Sequence, residues 1–389
     1  MDIYTLFKQI ADANIDYIME NGHAPSGCNG PYKNDATPIR NSGHWLISFS
    51  YLWNQTKDTR YYEVARILAE YLLLPDNYGP SGSIIHRKDV RFDKVNGLIG
   101  QAWTIEALVE AAWTLKEEKY YQKAKELFLI QKFNKSKHIW RVVDADGEIS
   151  LGLVFNQQLW FAAVGSLILD YEEQHALPVS KSIEDCIVDF LHASDKELFQ
   201  VQDDGQIVHL LNYKLSDAEK KYRNKLNTKR KIKSLLNNPP AVITKKIHDK
   251  MQKYPFTEGL ENAYHLFNLY GFAILKKRYE DMEIYSSAKM RMALEYIEKS
   301  NLLENLHLPC GGNAFNKFGY GYNSPAFEYP FVSLCFGKEN MEKNIAMMEK
   351  QVELLFDAKG NSFSKNCADS QTADARIYEL VRYFRSKNM

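Results

Sequence analysis

Along most of the chain, apolar positions recur with the period of an amphipathic helix, and the strict alternation of a half-buried strand is sparse. Twelve helical segments are predicted, near 3–20, 42–54, 59–74, 97–115, 118–131, 156–172, 178–193, 259–277, 281–299, 325–336, 339–356 and 372–386. Start signals support several of them: Asp58 or Thr59 before the third, Asn96 or Gly97 before the fourth, and Pro178 near the first turn of the seventh. Two short hairpins are expected in connecting loops. One joins Val142-Val143 to Asp144-Ala145-Asp146-Gly147, and the other places Ile207 to Leu211 after Asp203-Asp204-Gly205.

The pattern repeats. Trp53 followed by Tyr61-Tyr62-Glu63-Val64-Ala65 can be laid over Trp113 followed by Tyr120-Tyr121-Gln122-Lys123-Ala124, and Trp45, Trp103 and Trp160 fall 58 and 57 residues apart. A helical hairpin of that period, taken six times, accounts for all but roughly 40 residues. The remainder maps to 214–253, where 13 Lys and Arg stand against three acids (Asp217, Glu219, Asp249) and the hairpin rhythm breaks, so a basic helical insertion is expected there. The expectation is an all-α chain in which residues 1–389 form a single domain, an (α/α)6 toroid of about twelve helices. Closure would set the first helix beside the last, so no end repeat needs a solvent cap.

Segment 50–73, SYLWNQTKDTRYYEVARILAEYLL, resembles the hairpin turn repeated in the (α/α)6 six-hairpin carbohydrate-active enzymes. That resemblance implies a carbohydrate substrate. Unsaturated-uronyl hydrolases share the toroid and the approximate length, but their RGNGW stretch is not reproduced. The nearest text is Asn96-Gly97-Leu98-Ile99-Gly100-Gln101-Ala102-Trp103.

Composition narrows the class further. Forty-nine basic and 49 acidic residues cancel, which argues against a protein-wide nucleic-acid footprint, and 45% hydrophobic content excludes disorder. Aromatics reach 13%, as an aromatic-lined sugar cleft would need. Five scattered cysteines make no CxxC pair, so reduced thiols are expected rather than a disulfide framework or zinc site. No apolar run is long enough to span a bilayer, and the amphipathic start suggests a cytoplasmic protein. Neither metal-ligand spacing nor a phosphate loop occurs, so no metal and no nucleotide cofactor are expected.

In a ring of hairpins, the loops entering the inner helices converge on one end, and in this sequence those loops are dense in amides, aromatics and carboxylates. The carboxylates are Asp35, Asp93, Glu258, Glu261, Glu328 and Asp374. Glycosidic hydrolysis needs two carboxyl groups flanking the bond. Glu328 in its aromatic setting and Asp93 beside Asn96 are the catalytic candidates. Each has a structural alternative: Asp93 as a helix cap, Glu328 as the partner of Arg376, with Asp374 and Arg376 a further ion pair. Trp45, Trp103 and Trp160 are candidate stacking platforms, or alternatively packing for the axis. Arg40, His44, Asn96, Gln101, Asn156 and Gln157 are their polar company, and Tyr264, His265, Tyr322 and Arg376 complete the binding candidates.

The leading expectation is a glycoside hydrolase using an acid/base pair in an aromatic-lined axial cleft. A sugar epimerase or polysaccharide lyase relying on His44, His265 or Tyr322 is the rival enzyme. A non-catalytic glycan-binding protein of a polysaccharide assembly system is the third reading. The insertion is either a solvated hairpin or a lid or arm whose charge would attract an anionic glycan, a lipid-linked sugar or a membrane surface.

Overall fold

The computed structural model describes residues 2–211 except 90–91, then 213 and isolated positions between 217 and 228, 260–306, 316 and 318–388. Most of the basic insertion 214–253, and Glu258, therefore lie outside the described residues.

The helices are α1 (Ile3–Asp12), α2 (Ile15–Asn21), α3 (Ile39–Thr56), α4 (Thr59–Leu73), α5 (Gly97–Leu115), α6 (Glu118–Ile130), α7 (Phe155–Gln174) and α8 (Lys181–Ala193). They continue as α9 (Leu260–Tyr279), α10 (Ala288–Lys299), α11 (Pro325–Cys335), α12 (Met341–Leu355), α13 (Ser370–Ala375) and α14 (Val381–Lys387). A 3-10 segment, Arg376–Leu380, joins the last two into one rod.

Two layers follow from burial. Almost every residue of α5 from Leu98 to Leu115 is buried, whereas α6 buries one stripe, Tyr120, Tyr121, Ala124, Leu127 and Phe128. A helix apolar all round belongs inside and an amphipathic one outside. The inner helices pack in cyclic order: α3 on α5, α5 on α7, α7 on α9, α9 on α11, α11 on the 376–380 segment, and that segment back on α3. The ring closes as the repeat implied. Phe7 and Tyr4 of α1 meet Phe384 of α14 edge to face, at centroid distances of 5.5 and 5.8 Å. Successive repeats also share a stop signal, because Lys57 and Lys116 both take left-handed backbone (φ 58°) after α3 and α5.

Some boundaries differ from expectation for visible reasons. The first predicted helix breaks at Ala13–Asn14, where the Asn14 amide donates to the Ile10 carbonyl and competes with the backbone. The predicted helix 281–299 begins only at Ala288, after a 3-10 turn, where Ser287 Oγ caps the Met290 N–H. The hairpin around Asp144–Gly147 forms, pairing β2 (Ile139–Val143) with β3 (Ile149–Leu151), and β1 (Phe133–Asn134) pairs with β2 on its other side. The second hairpin reduces to one bridge, Val201 to Ile207. Among the described residues, no helix is long and apolar enough to cross a membrane.

Candidate functional site

All six inner rods begin at one end of the ring, and residues 22–38 fold across it. Asp369, ahead of α13, anchors this strap: its Oδ2 accepts from the backbone N–H of Cys28 (2.8 Å) and Gly30 (3.0 Å), while Oδ1 caps Thr372. Gly30 has φ 56° and lies against the Tyr322 ring, where a Cβ would fall 2.1 Å from a ring carbon, so only glycine lets the strap sit this close. The strap delivers Asn29, whose Oδ1 accepts from Arg40 Nη1 (3.1 Å) and from the Tyr322 hydroxyl (2.7 Å).

Arg40 is the centre of this end. Its guanidinium lies 4.1 Å from the centroid of Trp103, within cation–π range, and is 7% exposed. Among the described residues it makes no salt bridge. It lines a narrow recess together with Asn34, Asn41, His86, Arg87 and Asn96, and no carboxylate lines it. The recess has room for about one water, space for a single polar group rather than a sugar ring. Arg87 is paired with Asp93 (3.2 Å) and also donates to Asn96 Oδ1.

His86 was not foreseen. Thr104 Oγ donates its only proton to the Gly100 carbonyl (3.3 Å), so it must accept from His86 Nε2, 3.1 Å away. The imidazole is thereby assigned as the Nε2–H tautomer, leaving the Nδ1 lone pair, buried and without a hydrogen-bond partner. Burial, with Arg40 and Arg87 nearby, holds its pKa down to about 3, so the ring is neutral. One layer deeper His44 stacks on Tyr378 (4.2 Å) and meets Trp103 edge-on. Neither of its nitrogens has a partner, and burial followed by the Arg40 charge holds it well below the usual histidine range.

The two expected catalytic carboxylates occupy their structural alternatives. Asp93 Oδ1 caps the Gly97 N–H (2.6 Å) while Oδ2 holds Arg87. Glu328 is 0% exposed and accepts from Arg376 Nη2 at 2.7 Å, so it is sealed behind that guanidinium instead of sharing an open cleft with Asp93. Arg376 also binds Glu379 and Asn323 Oδ1 and lies over the Phe267 ring. Asp374 does not pair with Arg376. It accepts from Phe363 N–H and Ser362 Oγ, and burial pushes it up to about 6. Glu261 accepts from Gln202 and Asp35 is exposed.

Of the three tryptophans, Trp103 is the one that lies against Arg40. Trp45 packs on Phe49, which stacks on Tyr61 of α4. Trp160 stacks on Phe267 and Tyr270 and donates its indole N–H to the Phe267 carbonyl (3.0 Å). Gln101 spends its amide on both backbone groups of Ile84, and Gln157 Oε1 accepts from Leu98 N–H across Gly97, where φ is 62° and a Cβ would clash. His265 is committed at both nitrogens, to Ile207 N–H and to the Ala293 carbonyl of α10, so it does not pair with His44 in a proton relay. Asn156 is buried at the start of α7 with Nδ2 unbonded, and the hydroxyl of Tyr264 meets that of Tyr32 at 3.4 Å.

The strap residues Asn29 and Tyr32, and His86, carried no helical signal and so escaped the sequence reading. Glu379 could have been found from its i+3 spacing to Arg376. Among the described residues no group of His, Cys, Asp and Glu is arranged to hold a metal ion.

Comparison with known proteins places this geometry. No protein-family model matches the chain. Archaeal glycosylation protein Q of Haloferax volcanii is 30% identical over 376 residues, spanning 96% of this chain and 95% of its own. Three solved structures share the fold at low identity. They are a D-mannose isomerase (TM-score 0.63, 9% identity, 99% of this chain and 97% of its own), the cellobiose 2-epimerase of Bacillus thermoamylovorans B4167 (0.61, 10%, 98% and 99%) and a heparin-specific unsaturated glucuronyl hydrolase (0.55, 11%, 99% and 98%). The fold is thus the six-hairpin (α/α)6 toroid of carbohydrate-active proteins.

Proposed function

The chain belongs to the family of archaeal glycosylation protein Q, and from that premise we propose that it is an enzyme of a glycosylation system that abstracts a proton from the carbon beside the carboxylate of an acidic sugar. The observation that carries this reading is Arg40, a buried guanidinium that forms no salt bridge among the described residues, in a recess lined by a second arginine and no acid; Glu379 feels its charge but is bonded to Arg376. A buried unpaired cation is costly, and an entering carboxylate would offset that cost with charge-assisted hydrogen bonds.

The chemistry follows from the same pair of groups. Arg40 neutralises the sugar carboxylate, which acidifies the adjacent C–H and stabilises the enediolate formed when its electron pair moves onto the carboxyl group. The proton goes to the bare Nδ1 of His86 once the strap that lines the recess yields to the sugar ring. In the free protein burial, and after it the charges of Arg40 and Arg87, suppress the basicity of that nitrogen. A bound carboxylate cancels part of their charge and raises it, so the base is strengthened by its own substrate. Reprotonation from the opposite face by water gives an epimer, with His86 returning its proton to solvent, and expulsion of a β-oxygen substituent that takes the His86 proton gives an unsaturated uronate and an alcohol.

Hydrolysis is the second reading, and it requires Glu328 to leave Arg376. Incubation with glucuronate- and galacturonate-bearing oligosaccharides separates the two: solvent deuterium at the carbon beside the carboxylate, or an unsaturated uronate, supports proton transfer, and new reducing ends with neither support hydrolysis.

A further inference from the structure

At the end of the ring opposite the recess is a cavity of about 300 Å³, the size at which small-molecule sites begin. It opens where the inner helices finish. Asn54 of α3, Trp113 of α5, Gln174 of α7 and Arg385 of α14 stand in or next to the last turns of their helices and line it. Nothing in the proton-transfer reading uses it.

We propose that this cavity is a second ligand site, for a neutral, hydroxyl-rich molecule such as a monosaccharide unit or a polyol.

The wall chemistry selects that class. Three carboxylates line the cavity, and each already has an arginine: Glu106 with Arg382, Glu110 with Arg385 (2.9 Å), and Asp170 with Arg278 (3.0 Å). Each lining carboxylate is thus held by an arginine, Arg278 being shared with Glu173 and Glu184, so no charged group there lacks a counter-ion, unlike at Arg40. The wall is nevertheless dense in fixed donors and acceptors, as hydroxyl recognition requires. Glu106 is 3% exposed, bonded to Arg382 and faced by the hydroxyl of Tyr378, and neither its Oε2 nor that hydroxyl has any other partner. Both line the cavity. The half-buried indole of Trp113 supplies a flat apolar face beside them, the surface on which the C–H face of a sugar ring stacks. Amide groups at the exposed rim, Asn54 and Gln174, complete the set.

The test is ligand-observed NMR on the full chain with glucose, mannose, N-acetylglucosamine and glycerol as neutral probes. Gln174→Trp fills the rim from an exposed helix end without disturbing a buried group, and Glu106→Gln keeps the shape while changing the acceptor. The expected result is that at least one neutral probe binds, that Gln174→Trp abolishes its binding, that Glu106→Gln weakens it tenfold or more, and that Arg40→Ala leaves it unchanged. Absence of binding by all four probes, persistence of binding in Gln174→Trp, or loss of binding in Arg40→Ala overturns the proposal. None of these outcomes bears on deuterium exchange at the recess, so the two readings fail separately.

Discussion

Glu328 and Glu379 accept hydrogen bonds from one nitrogen, Nη2 of Arg376, at 2.7 and 2.6 Å. All three side chains are at most 3% exposed. Two ionised carboxylates on one guanidinium would bury a net negative charge, which the low-dielectric interior disfavours, so the trio retains a proton. Burial pushes Glu379 up to about 7, and burial followed by the Glu379 charge pushes Glu328 well above the usual carboxylate range.

This gives stability a definite pH sign. Between the unfolded glutamate pKa of roughly 4.3 and about 7, the folded protein holds more protons than the unfolded chain, so the contribution is complete below that window and is lost as pH rises through it. Denaturant unfolding at pH 5 and pH 7.5 should show the wild type losing stability across the interval. Glu379→Gln, which stays neutral, should flatten the dependence. A steeper slope in the variant would refute the shared proton. Arg376→Met should cost about 3–5 kcal/mol at pH 7, as removal of one partner from a buried ionic group does.

Arg40→Lys should fail to restore what Arg40→Ala loses. A lysine ammonium cannot lie flat on Trp103 while donating sideways to Asn29, as the guanidinium does. Calorimetric titration with glucuronate is expected to show at least tenfold weaker binding in both variants. Full affinity in Arg40→Lys would mean that charge alone is recognised.

Thr104→Val removes the acceptor that fixes the His86 tautomer and leaves the ring in place. Turnover should fall while KM holds, and the pH profile of kcat should shift. His86→Gln should lower kcat by about 10²- to 10⁴-fold, the range for a lost general base. Equal activity in His86→Gln and wild type would remove His86 from the chemistry.

Closure of the ring rests on Phe7, which is fully buried against Phe384 and Tyr51. Phe7→Ala should cost about 3–5 kcal/mol, and thermal unfolding should report it. A change under about 1 kcal/mol would mean that the first and last helices do not support one another.

How far the sequence carries can be judged at particular residues. Helical period and the Trp53/Trp113 repeat predicted the ring because an inner and an outer helix need different apolar patterns, and that difference is written in every turn. The converging loops were legible too: Arg40 lies over Trp103 and near Tyr322, and Asn96 lines the recess with it. Side-chain direction was not legible. Trp45 and Trp103 each stand six residues into an inner helix, yet Trp45 packs on Phe49 and Trp103 faces Arg40. Gln101 looked like a sugar contact because its amide was visible, while its use, clamping the Ile84 backbone, depends on a loop path that no pattern encodes. His86 and Asn29 lie in such loops and were missed for that reason.

Joint action of Arg40 and His86 on an acidic sugar is read from proton NMR of glucuronate-terminated oligosaccharides incubated with the protein in deuterium oxide. The proton signal at the carbon beside the carboxylate should fade by solvent exchange, the fading should disappear in His86→Gln and Arg40→Ala, and no reducing end should be released. Release of reducing ends without exchange, abolished by Glu328→Gln and unaffected by His86→Gln, would contradict it.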